Sequence, residues 1–241
     1  MFLKQTSFLV YYNDVEKVFI HPWGSNAVRV RATRANTMSA GNWALDAEPR
    51  SVGTKIIITE NEATLTNGKI TARISKLGKI IVENAKGQVL LKEYARNRRD
   101  LLEPKCSALE VEARKFQTIP GTENYHLTVR LESLDPAEKV FGMGQDHQLW
   151  LDLKGHSLEL AYLNSQASVP FVLSSLGYGF LWNNPAVGRA VFGKNVTTFE
   201  AYAAKVMDYW IVAGDTSSEI LGAYAGMTGS GPLMPECGFG F

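Results

Sequence analysis

The segment EATLTNGKITARISKLGKIIVENAKGQVLLKEY, residues 62–94, alternates apolar and polar residues in short runs broken at Asn67-Gly68, Leu77-Gly78 and Lys86-Gly87. A period of two puts every second side chain on one face, so each run is a strand with one face buried. Glycine at the breaks permits the positive φ that a tight reversal needs. The expectation is a meander of about four short strands, with Asn67-Gly68 as a type I′ hairpin turn.

Similar runs continue at 107–116, 125–131, 168–175, 178–183, 189–194 and 197–214, the last running from TTFEAYAA on to KVMDYWIVAG. The N-terminal MFLKQTSFLVYYNDVEKVF also reads as a strand. Many short strands without intervening helices predict an all-β chain, an antiparallel β-sandwich. One late helix is expected at SSEILGAYAGMTG. Asp215 or Thr216 can cap it, Ile220, Leu221 and Tyr224 form its apolar stripe, and Glu219 lies near the positive end of its dipole. Beyond it, Gly229, Gly231, Pro232 and Pro235 mark a domain boundary, giving a sandwich over 1–230 and a linker over 231–241.

A chain of 241 residues with 45% hydrophobic and 20% charged residues buries a sizeable core and is not disordered. Its 25 Lys and Arg against 24 Asp and Glu supply no electrostatic argument for nucleic acid or an anionic membrane. The longest basic cluster, Arg96-Asn97-Arg98-Arg99, is short and reads as a solvated loop. Cys106 and Cys237 lie far apart, without metal-ligand spacing, which fits a reducing, cytoplasmic compartment. The N-terminal stretch has no small-residue cleavage site, and no run approaches the roughly 20 apolar residues of a membrane span.

The residues themselves leave the chemistry open. Asp146 and Asp152 are close in sequence, but nothing marks them as an acid–base pair, and ordinary loop carboxylates are the plainer reading. His147 and His156 flank one segment and could serve acid–base work on a sugar, with Glu159 as the carboxylate of a mutarotase-like epimerase. None of the four histidines has zinc-site spacing. Phe141-Gly142-Met143-Gly144 lacks the third glycine and the helix of a dinucleotide loop, so its glycines are expected to let a ligand or another backbone approach closely. Trp150, Trp182 and Trp210 are core residues or sugar-stacking platforms; a stand-alone carbohydrate-binding module requires Trp150 and Trp182 exposed on one concave sheet.

Three stretches add a resemblance. VFGMGQDHQ (140–148), LNSQASVPFVLSSLGYGFLWNNP (163–185) and MDYWIVAGDTSSEILGAYAGMTGSGPLMPECGFGF (207–241) resemble, in order, three segments of glycoside hydrolase family 31, the α-glucosidases and α-xylosidases. The resemblance implies a galactose-mutarotase-like sandwich joined to a (β/α)₈ catalytic barrel, with 231–241 as the joint and GFGF as the first barrel strand. It also implies a retaining α-glycosidase whose catalytic aspartates lie on that barrel, so this chain carries no catalytic residue. The family's substrate-facing loop maps onto Asn164 and Gln166, and Gln166 stands where relatives often have tyrosine, which favours hydrogen bonding to a sugar hydroxyl over stacking. Gln145 and His147, in the first segment, complete the candidate substrate-binding set; Gln145 replaces a commoner glutamate and is expected to act as a tether. The implied partners are an α-linked oligosaccharide or glycoside and the missing barrel. No cofactor or metal is implied, and an exposed docking surface would favour self-association, a possible homo-oligomer.

Overall fold

The structure, a computed structural model, describes residues 1–231 except 6, 14, 47–50, 52, 97–110, 147, 148 and 163. The runs of 62–94 form four strands, β6 (Glu62–Asn67), β7 (Ile70–Ser75), β8 (Ile80–Asn84) and β9 (Val89–Lys92), with β5 (Lys55–Ile58) added in front. They make a five-stranded antiparallel sheet in chain order. Strict alternation buries Ala63, Leu65 and Asn67 on β6 and Ile70, Ala72 and Ile74 on β7.

The first turn differs from expectation. Asn67 pairs with Ile70, so the two turn residues are Gly68 and Lys69, and of these only Gly68 has positive φ, at 59°. One positive φ, at the first central position, marks a type II′ turn rather than I′. Asn67 is instead a buried anchor, whose Nδ2 donates to the carbonyls of Gly24 and Ala27 at 2.7 and 2.8 Å.

A second five-stranded sheet runs in the order β10 (Arg114–Thr118), β11 (Tyr125–Glu132), β17 (Val196–Ala204), β16 (Gly188–Phe192), β13 (Ser157–Leu160). The large sheet has eight strands, in the order β1 (Phe2–Lys4), β2 (Leu9–Asn13), β3 (Glu16–Pro22), β4 (Ala27–Thr33), β18 (Val206–Ala213), β15 (Tyr178–Trp182), β14 (Ala167–Ser174), β12 (Val140–Gln145). Val18, Ile20, Val30, Phe180 and Tyr209 of the large sheet share one buried cluster with Leu65, Ile74 and Val82 of the meander and Leu127, Val129 and Phe199 of the other small sheet. The two small sheets therefore form one layer facing the large one, and a bridge from Glu93 to Leu131 joins them. This is the antiparallel sandwich expected from the strand pattern.

Two long runs divide. The N-terminal stretch is not one strand but β1, β2 and the start of β3, folded back on one another. The run 197–214 breaks at Lys205, and its halves lie in opposite layers. Of 107–116, only the end lies in a strand, β10, while 107–110 are outside the described residues. The helix α1 (Ser217–Thr228) is capped by Thr216, whose Oγ1 accepts from the Glu219 N–H at 3.2 Å. It packs on the outer face of the large sheet, with Ile220 buried among Trp23, Leu181 and Trp210 and Tyr224 stacked on Phe171 at 4.0 Å. Leu221, expected in the apolar stripe, faces solvent. Among the described residues no helix is long and apolar enough to cross a membrane.

Candidate functional site

The site is built at the edge where β12 meets β14. Gly142 and Gly144 have φ of 114° and 85°, and Met143 between them has 71°. The register slips here, Gly142 facing Val172 and Gly144 facing Ser168, so residues 169–171 lie opposite Met143 alone. Pro170, which has no N–H for a ladder, falls inside this irregularity, where a strand tolerates it. A Cβ on Gly142 would stand 2.4 Å from the Phe171 carbonyl oxygen, and one on Gly144 would stand 2.1 Å from that of Ala167. What the two glycines admit is therefore the neighbouring strand.

The bulge turns Met143 into the core and leaves Gln145 and Asp146 at the open end of the pair. Gln166, at the foot of β14, donates from Nε2 to Asp146 Oδ1 at 2.9 Å. This bond ties the two strands together beyond the last ladder partners, Gln145 and Ala167. Asp146, Gln145 and Gln166 share the walls of a small pocket with Glu159 and Ser168. Its volume of about 10 Å³ holds roughly one water and cannot enclose a sugar ring. The group can thus form one wall of a sugar site but not a whole one. Asn164 is exposed, next to Ser165, whose φ of 64° makes the turn into β14. His147 lies outside the described residues.

The segment that follows, 146–156, is pinned at its far end. Asp152 Oδ1 accepts from the N–H groups of Val140 and Lys154, both at 3.1 Å. Desolvation raises the Asp152 pKa, but those two bonds together with the charges of Lys139 and Lys154 outweigh it and hold the carboxyl below its usual range. Lys154 Nζ donates to the buried Glu138, whose other oxygen accepts from Ser174 Oγ at 2.6 Å and Tyr178 OH at 2.8 Å. Asp152 is thus structural, and Asp146 pairs with an amide rather than with a second carboxylate. Above the pinned base, Leu149, Trp150 and Leu151 are 91, 59 and 80% exposed.

The tryptophans do not make a platform. Trp182 and Trp210 are fully buried in different clusters, on opposite faces of the large sheet. With Trp182 in the core, the exposed pair that a stand-alone sugar module requires is absent among the described residues. Trp150 stacks on His156 at 5.3 Å, while Glu159 faces the pocket, whose described walls do not include His156. Among the described residues, His156 and Glu159 thus do not line one pocket, and His147, the other histidine of that reading, lies outside them. Sequence reasoning missed the role of Asp146, because its partner is 20 positions away and only the β12–β14 register makes them neighbours.

Comparison with known proteins agrees with this fold. Residues 17–189 match the family model described as the glycosyl hydrolase 31 N-terminal galactose mutarotase-like domain. An uncharacterized family 31 glucosidase from Pseudescherichia vulneris is 46% identical over 225 residues, covering 90% of this chain and 42% of that protein. An α-xylosidase of Saccharolobus solfataricus is 34% identical over 100 residues, 42% of this chain and 14% of its own length. The crystal structure of a family 31 α-xylosidase from a soil metagenome, complexed with xylose, superposes with a TM-score of 0.92 at 42% identity. It covers 98% of this chain, which in turn covers 35% of that one. The chain thus spans less than half the length of these relatives. On the match of its strands and of residues 17–189, it belongs to glycosyl hydrolase family 31 and carries that family's N-terminal galactose mutarotase-like domain.

Proposed function

We propose that this domain is the non-catalytic N-terminal sandwich of a retaining α-glycosidase of the xylosidase or glucosidase type. It supports a catalytic barrel that begins after about residue 231, and residues 145–147 with 164–166 lend one wall to the sugar-binding site. The observation that carries the reading is the polar rim at the β12–β14 bulge, where Gln166 and Asp146 hold each other in place beside Gln145. Amide and carboxylate groups fixed in this way accept and donate hydrogen bonds to sugar hydroxyls without further ordering, so their contribution is to binding and orientation. The substrate class, α-linked glycosides, rests on the relatives named as glucosidase and α-xylosidase. A cytoplasmic location belongs to the same proposal and rests on the sparse, separated cysteines.

The test is kinetic, in the full-length protein. Gln166→Ala removes one hydroxyl-binding amide and frees Asp146, and is expected to raise KM for an aryl α-xyloside or α-glucoside by about 5- to 10-fold, with kcat changed less. The 241-residue chain alone is expected to be inactive. Turnover of an aryl α-glycoside by that chain, or an unchanged KM in the variant, refutes the assignment.

A further inference from the structure

The outer face of the large sheet holds a second organised feature, away from the β12–β14 rim. Residues 39–46 form a strap between β4 and the helix α1. Arg29 on β4, fully buried, donates Nε and Nη2 to the two oxygens of Asp208 on β18, at 3.0 and 2.6 Å. Its remaining donors hold the strap: Nη1 reaches Asn42 Oδ1 at 2.7 Å and Nη2 reaches the Gly41 carbonyl at 3.0 Å. Asn183 completes the clamp, donating to the Asn42 carbonyl at 2.9 Å and accepting from the Ala44 N–H at 3.2 Å. Leu45 is sunk into the apolar cluster with Trp23 and Ile220.

Between these anchors, Trp43 points outward and is 62% exposed. The Leu45 N–H donates to the Asn42 carbonyl at 3.0 Å, so Trp43 and Ala44 are the central residues of a tight turn. Trp43 sits there with φ of 55°, a left-handed conformation that glycine favours and a bulky residue adopts only under constraint. A lone exposed apolar side chain is ordinary. One held in a strained backbone by a fully buried ionic clamp is not, because the same turn would form more easily without the ring.

The surroundings decide between two uses of such a ring. A sugar platform needs free polar groups beside the aromatic face, yet Asn42 Oδ1, the carbonyls of Gly41 and Asn42 and the N–H groups of Ala44 and Asp46 are already engaged with Arg29, Asn183, Leu45 and Met227. The strap is bonded instead to the last turn of α1, the Asp46 N–H donating to the Met227 carbonyl at 2.7 Å. The chain leaving α1 at Gly229 thus sets out two residues past a bond to the strap that carries Trp43, and the family relatives carry more than half of their length outside the span matched here. We infer that Trp43 is a preorganised anchor on which the domain following residue 231 seats. The inference rests on the reading that such a domain follows, but not on its chemistry.

The test uses the full-length protein and Trp43→Gly, which suits the turn's φ and so spares the sandwich. Limited proteolysis with thermolysin of the junction after residue 228 should run about tenfold or more faster in the variant, as expected for loss of a buried aromatic anchor. Junction cleavage in the 241-residue chain should be unchanged by the same substitution. Equal cleavage of wild type and variant in the full-length protein overturns the inference. So does weaker binding of xylobiose or maltotriose in the variant with the junction still protected, because that outcome makes the ring a sugar platform. A full-length protein inactive on α-glycosides whose junction is still protected through Trp43 would sink the proposed function and leave this anchor standing.

Discussion

Replacing Gly144 by alanine tests the bulge on which the candidate site depends. The new Cβ would stand 2.1 Å from the Ala167 carbonyl oxygen and 2.7 Å from the Val169 nitrogen, and both obstacles are backbone that cannot rotate away. The residue must also keep φ near 85°, which costs an alanine about 1–2 kcal/mol. Relief requires β14 to move off β12 at its foot, giving up about two ladder hydrogen bonds at roughly 1 kcal/mol each. The expected loss is therefore about 3–4 kcal/mol of unfolding free energy. Gly87→Ala is the matched control, because Gly87 has φ of 76° with nothing within 4 Å of its Cβ position. There only the backbone cost applies, about 1–2 kcal/mol. Urea unfolding followed by tryptophan fluorescence measures both variants, and the slope shows whether the transition keeps its cooperativity. If Gly144→Ala costs no more than Gly87→Ala, the close approach of β14 to the Gly-Met-Gly segment is not what the two glycines serve.

Two further outcomes follow from the polar groups. Burial, and then the charges of Arg31 and Arg29, lower the His21 pKa from 6.5 to about 3. Between those values the unfolded chain binds a proton that the folded one refuses, so stability is full above pH 6.5 and falls as the pH drops, by about 1.4 kcal/mol per unit. His21→Gln keeps an acceptor for Arg31 and should lose about 2 kcal/mol less than wild type between pH 7 and pH 5 in urea unfolding; parallel curves would remove His21 as the cause. Asp208→Ala leaves the guanidinium of Arg29 buried without its carboxylate and should cost about 3–5 kcal/mol, with Trp43 becoming mobile by fluorescence anisotropy. A loss under about 1 kcal/mol would show that solvent reaches Arg29.

The strands with one wet face were legible because burial on one side imprints a period of two, as in 62–67 and 70–75, where every second residue is buried. β18 was legible as a strand but not in its surroundings. Its run MDYWIVA is buried on both faces, by the sandwich core on one side and by α1 with Trp23 on the other, so no alternation marks which side is which. The break at Lys205 was invisible for a related reason: both flanking segments favour extended backbone, and only the choice of layer separates them.

The candidate site was legible in part. A family resemblance pointed to Gln145, His147, Asn164 and Gln166; of these Gln145 and Gln166 line one pocket with Asp146, which only a cross-strand register 20 residues long in sequence brings to Gln166. The Asn67-Gly68 pair announced a turn, but Asn67 was claimed by the carbonyls of Gly24 and Ala27, which shifted the reversal by one residue. Sequence by itself determined that the described residues are mostly strands, many of them amphipathic, followed by a capped helix, because periodicity and capping are local properties of neighbouring residues. Tertiary structure alone decided which strands share a layer, where the two glycines meet β14, and why Arg29 and Asp208 can be buried, because each depends on groups far apart in the chain meeting at hydrogen-bond distance.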